Sequence, residues 1–131
     1  MGLLPHLRTL QLVHCPNLRA LPPEIGQATA SLKLVLLRHM PSLKAVENLP
    51  FLSEWLSITD CEGLERVENL PRLTELCVRF CPNLRQVEEL GSLEQLWLDV
   101  GMQDLSTRWV PRLKHQRQQV HGEDLDVYTL M

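Results

Sequence analysis

"LPHLRTLQLVHCPNLRAL" runs from Leu4 to Leu21, and "LPRLTELCVRFCPNLRQV" runs from Leu70 to Val87. Both carry Leu-Pro, spaced leucines, Cys-Pro-Asn-Leu-Arg and a closing aliphatic residue in the same order. With the cysteine as a ruler point, Cys15 is preceded by Leu7, Leu10 and Leu12 and followed by Leu18 and Leu21. Cys81 has Leu73, Leu76, Val78, Leu84 and Val87 at the same offsets, and Met40 has Leu32, Val35, Leu37, Leu43 and Val46. Around Cys61 stand Leu56, Ile58, Leu64 and Val67, with the leading leucine, Leu52, one residue early. A last copy supplies Leu93, Leu96 and Leu98 and then puts Gly101 where cysteine is due. The ruler points are spaced 25, 21, 20 and 20 residues.

A period in that range with L-x-x-L-x-L-x-x-C-x-x-L is the leucine-rich-repeat pattern. Alternation within each x-L-x-L-x stretch has period two, which predicts a short strand with one buried face. Stacked repeats form a parallel sheet over one continuous core. The fold class is therefore α/β: a leucine-rich-repeat solenoid, strands on the concave face, an irregular convex side and a C-terminal capping helix. Residues 1–100 make about five repeats, and 101–131 form a cap with one helix and an acidic tail. Pro16, Pro41 and Pro82 fix φ after the ruler point and stop each strand. Return legs such as "NLRALPPEIGQATA" (17–30) are too broken by Pro and Gly for a long helix. The chain begins at the strand-leading Leu3-Leu4, which predicts a first repeat without an N-terminal cap.

Composition sets the outer bounds. The 131 residues are 44% hydrophobic and 5% aromatic, with a net charge of −3, which argues against a nucleic-acid binder working by bulk charge. The N-terminus has no charged segment ahead of an apolar run, no myristoylation serine or threonine, and no stretch of membrane-spanning length follows. The expected location is cytoplasmic or nuclear, with no membrane partner.

The four cysteines suit a reducing compartment. Cys15, Cys61 and Cys81 share one repeat position and should stack as a buried column of thiols, with Cys77 on the opposite strand face. Their spacing is unlike a zinc site, so no metal is expected. No nucleophile elbow, phosphate loop or H-E-x-x-H occurs, so the chain is not expected to be an enzyme or to hold a cofactor. Glu47, Glu68 and Glu88 recur at the repeat period and should form an acidic column, balanced by Lys44, Arg66 and Arg85. In "MQDLSTRWVPRLKHQRQQVHGEDLDVYTLM" (102–131), Pro111 suits a first helical turn and Gly122 a C-cap, with Leu113 and Val120 as an apolar stripe.

The two quoted stretches resemble the C-terminal leucine-rich repeats of plant intracellular nucleotide-binding immune receptors. "WVPRLKHQRQQVHGEDLDVYTL" (109–130) closely resembles the C-terminal end of such receptors in grasses. The resemblance covers nearly the whole chain, but no coiled-coil or nucleotide-binding region is present, so ATP or ADP binding is not carried over. It implies a protein-binding sensor segment, contacting a pathogen effector, a guarded host protein or the receptor's own nucleotide-binding domain. The alternative is a leucine-rich-repeat substrate adaptor or scaffold outside immunity.

Strand register places the binding surface. Outward-facing positions bring Leu34, Leu36 and Trp55 together beside Arg38 and Arg79, with His39, Phe80 and Trp97 on neighbouring positions. Exposed apolar residues beside arginines have the composition of an interface hot spot. The one-residue shift ahead of Trp55 leaves two orientations open: Trp55 outward with Leu56 inward, or the reverse.

Overall fold

The computed structural model describes residues 8–21 and 32–130. The leading Leu3, Leu4 and Leu7, the uncapped first edge and most of the first return leg lie outside the described residues. The rest is a parallel-strand solenoid of about four turns. The larger sheet has six strands in the order β1 (Thr9–Val13), β2 (Leu34–Arg38), β4 (Trp55–Thr59), β6 (Glu75–Arg79), β8 (Gln95–Asp99), β9 (Asp126–Leu130), all parallel. Across the core lies a second parallel sheet of three-residue strands: β3 (Ala45–Glu47), β5 (Arg66–Glu68), β7 (Gln86–Glu88). That second sheet corrects the expectation of an irregular return side. Three residues such as Ala45-Val46-Glu47 are too few to show alternation in a sequence, yet the coils stack closely enough to pair them.

Each coil is made of two similar halves. A strand ends in a residue with left-handed backbone: His14, His39, Asp60 and Phe80 after the long strands (φ 53° to 61°), Asn48, Asn69 and Glu89 after the short ones (φ 55° to 60°). A four-residue turn follows at once. The N–H of Leu43 donates to the Met40 carbonyl at 3.2 Å, that of Leu64 to Cys61 at 3.2 Å and that of Leu84 to Cys81 at 3.3 Å. Pro41 and Pro82 therefore occupy the second position of a β-turn, where a fixed φ is an advantage. Leu52 closes the same turn on Leu49 and Leu73 on Leu70, with Pro50 and Pro71 in the equivalent place. Left-handed backbone is uncommon outside glycine, and tolerated best by Asn, Asp and His. Here the corner N–H groups after the long strands are used between coils: His14 donates to the Arg38 carbonyl, His39 to Thr59 and Asp60 to Arg79, each at 3.0 Å.

Inward-facing residues form ladders. Val35, Leu56, Leu76 and Leu96 share one register column, and Leu37, Ile58, Val78 and Leu98 the next. All eight are buried, as are Met40, Cys61 and Cys81 at the ruler point. Burial of each such leucine contributes about 1.5–3 kcal/mol. At the first coil Leu10, Leu12, Cys15 and Leu18 are only partly buried. Where coils come closest a side chain is excluded: a Cβ on Gly63 would stand 2.5 Å from the Pro41 carbonyl oxygen. The equivalent Ser42 and Asn83 instead donate to the coil before, to the Pro16 carbonyl at 2.5 Å and the Glu62 carbonyl at 2.6 Å.

The C-terminal region departs from expectation in three respects. A 3-10 turn (Val100–Met102) and a four-residue helix (Gln103–Ser106) precede the main helix, Val110–His121. The buried stripe of that helix is Leu113 with Arg117, preceded by Trp109, while Val120 is 59% exposed. Trp109, Leu113 and Arg117 follow one another at i, i+4 spacing along the side of the helix that is covered. Gly122 caps the helix in left-handed conformation (φ 66°), its N–H donating to Gln118 at 2.9 Å. The expected acidic tail is instead β9, which adds to β8 in register, with Leu125 buried before it.

Candidate functional site

The outward face of the larger sheet holds Leu34, Leu36, Arg38, Trp55, Arg79 and Trp97 of the residues singled out from sequence. In one register row lie Thr9, Leu34, Trp55, Glu75, Gln95 and Asp126; in the next, Gln11, Leu36, Ser57, Cys77, Trp97 and Tyr128. Trp55 is half-buried on this face and Leu56 fully buried beneath it. Ser53 absorbs the extra residue: both Glu54 and Trp55 donate to the Lys33 carbonyl (3.2 and 2.9 Å), just as Lys33 and Leu34 both donate to Arg8. The strand thus starts in register.

Leu34 and Trp55 are register partners, with Leu36 one pair away, at an inter-strand spacing of about 4.8 Å. Leu34 and Leu36 are half-buried, and Arg38 is exposed. Arg79 is half-buried, and its guanidinium carbon lies 5.4 Å from the centroid of the Phe80 ring. Trp97 is separate from the Leu34–Trp55 group, two strands away, and stacks on Tyr128. Its indole N–H and the Nε of Arg79 are shielded and have no hydrogen-bond partner. His39 and Phe80 lie off the sheet face altogether, on the corner that follows the strands. The His39 ring faces His14 at 5.4 Å, and its Nδ1 is 3.5 Å from Asp60.

Sequence reasoning missed Tyr128. The available signal was the alternation in "DVYTL" (126–130), where Val127 packs against the core and Tyr128 faces out. Reading the segment as an acidic tail concealed it.

Of the expected buried thiol column only Cys61 and Cys81 form one chemical unit; Cys15 is partly buried, with Met40 at the position between. Contact with the Cys81 thiol, then burial, are the main influences on Cys61, and the balance lowers its pKa. The same contact with Cys61 and burial push Cys81 far up, so the pair as a whole retains at least one proton. Burial raises Cys77. Buried thiols held protonated are poor nucleophiles.

On the opposite sheet Glu47, Glu68 and Glu88 are aligned by register. Arg66 lies 3.3 Å from Glu47 and 3.8 Å from Glu68, while Arg85 pairs with Glu65 rather than with this column. Arg112 of the C-terminal helix reaches Glu88 at 3.2 Å. Hydrogen bonding with Glu47, then burial and the charges of Glu47 and Glu88, raise the pKa of Glu68. The carboxylates of Glu68, Glu88 and Glu89 lie within 4.8 Å of one another, but Arg66, Arg112 and the Gln86 amide already engage Glu68 and Glu88.

No protein-family model matches the chain, and no curated protein is significantly similar to it. Among the described residues no helix is long and apolar enough to cross a membrane.

Proposed function

We propose that the chain is the protein-binding leucine-rich-repeat module of a plant intracellular immune receptor of the grass type. In this reading the larger sheet is the concave surface, the three-residue strands form the convex side, and the C-terminal helix with β9 is a cap. The concave surface senses a pathogen effector or guarded host protein and restrains the receptor's nucleotide-binding domain. The module is non-enzymatic and acts in the cytoplasm or nucleus.

The supporting observation is the outward cluster of Leu34, Leu36 and Trp55 beside the exposed Arg38. Half-buried apolar side chains next to a guanidinium lose water readily on contact with a second protein and then hold it strongly.

The test is co-immunoprecipitation from leaf cells with a nucleotide-binding fragment encoded upstream in the same gene. Association should be lost when Trp55→Ala and Arg38→Glu are combined, without change in circular dichroism. Absence of any nucleotide-binding coding sequence upstream, or undiminished association of the double variant, would exclude the receptor reading.

A further inference from the structure

A second surface runs along the corner that follows the strands of the larger sheet. Two cavities lie there side by side. One, about 490 Å³, is lined by His14, Pro16, His39, Pro41, Asp60 and Glu62. The other, about 350 Å³, is lined by Asp60, Glu62, Phe80, Cys81, Pro82, Asp99, Gly101 and Met102. They share Asp60 and Glu62, so they are two halves of one groove.

Its apolar lining is Pro16, Pro41 and Pro82 with the ring of Phe80, which is 50% exposed. Its centre is acidic. Glu62 is exposed and makes no ion pair among the described residues, and Asp60 meets only the His39 ring. Asp99 is already committed, accepting from the N–H of Phe80 at 2.9 Å and of Gly101 at 3.0 Å. Arg38 and Arg79 lie one position inward, on the sheet, and neither lines the groove.

The length selects the ligand. Five corners, from His14 to Val100, at about 4.8 Å per coil span roughly 19 Å, which is about six residues of extended chain. Left-handed corners between flat turns make a stepped, shallow trough that suits an extended backbone better than a helix about 10 Å wide.

We propose that this groove binds an extended peptide segment, with a lysine or arginine seated between Asp60 and Glu62 and an apolar neighbour on Phe80 and Pro82. The Glu62 carboxylate, unpaired among the described residues, and the neighbouring Asp60, set among prolines and Phe80, complement a cation carried on an alkyl stem, because the stem covers the rings while the charge meets the acids. The surface is distinct from the outward sheet face, so it stands or falls independently of that reading.

The probe is a fluorescent hexapeptide alternating leucine and arginine, compared by polarisation with one alternating leucine and glutamate. The basic peptide should bind, and binding should weaken as salt rises. Asp60→Asn with Glu62→Gln should weaken it by about tenfold or more. Asparagine tolerates the left-handed backbone at position 60, so the fold is kept. Glu94→Gln, an exposed charge change outside the groove, should leave binding unaltered. The proposal is overturned if the basic peptide does not bind, if the acidic peptide binds equally, or if the double variant binds as well as the parent. It is also overturned if sedimentation shows self-association that the double variant abolishes, since the groove's occupant would then be a second copy.

Discussion

Trp97 and Tyr128 face one another across the last parallel strand pair, their ring centroids 4.2 Å apart and their planes inclined by 22°. Stacked pairs of this kind contribute about 0.5–1.5 kcal/mol beyond area burial. Tyr128→Ala should therefore loosen β9, lower the melting temperature slightly and shift tryptophan emission to the red. Tyr128→Phe should do neither. Unchanged emission in the alanine variant would show that Trp97 does not depend on this cover.

Leu76 tests the core. It is fully buried and lies between Leu56 and Leu96 in the ladder. Leu76→Ala should cost roughly 2–5 kcal/mol through the cavity it leaves. For a small domain that is a large share of total stability. Urea denaturation measures it; a loss below about 1 kcal/mol would mean that neighbouring coils collapse into the space.

Asp99 ends the corner ladder. Earlier corners donate to a backbone carbonyl of the next coil, but Phe80 donates to the Asp99 carboxylate, which also accepts from Gly101. Asp99→Ala leaves two N–H groups without this acceptor and should destabilise by about 1–3 kcal/mol. Asp99→Asn keeps one acceptor oxygen and should cost less. Equal losses in thermal unfolding would contradict this account.

Glu68 gives the pH dependence. Its pKa is raised in the folded chain, chiefly by hydrogen bonding with Glu47, so folding favours the protonated form. The stability it contributes is therefore fully present below its unfolded pKa and is lost as pH rises through the folded one. Glu68→Gln should raise the melting temperature near pH ~7, and the gain should shrink as pH falls toward about 4. A gain that is constant with pH would point to packing instead of charge.

The repeated pentapeptide made the solenoid legible, because every core column is a leucine, valine, isoleucine, methionine or cysteine at a fixed offset from the ruler point. The outward positions of Leu34, Leu36 and Trp97 follow from the same alternation. What stayed hidden was pairing that only stacking creates. Ala45, Arg66 and Gln86 have no common strand propensity, yet they occupy one register column of the second sheet. Likewise "DVYTL" is recruited as a strand because β8 offers it an open edge. The corner column of His14, His39, Asp60 and Phe80 is legible by its fixed place one residue before each ruler point, but the groove beside it is not, because these residues share a backbone conformation and no chemistry.

From Met40 onward, where the ruler points stand 21, 20 and 20 residues apart, the paired corners give each coil a nearly constant perimeter. Two left-handed residues and two tight turns leave little slack, and even one surplus residue, Ser53, has to be taken up between turn and strand. Length in such a chain changes most easily by whole coils. A coil gained between Cys61 and Cys81 would leave each remaining side chain its own surroundings, yet carry Trp97 about 4.8 Å farther from Leu34. The distance between two contact points on a partner is then set in steps, like stops on a slide rule, without redesign of either contact.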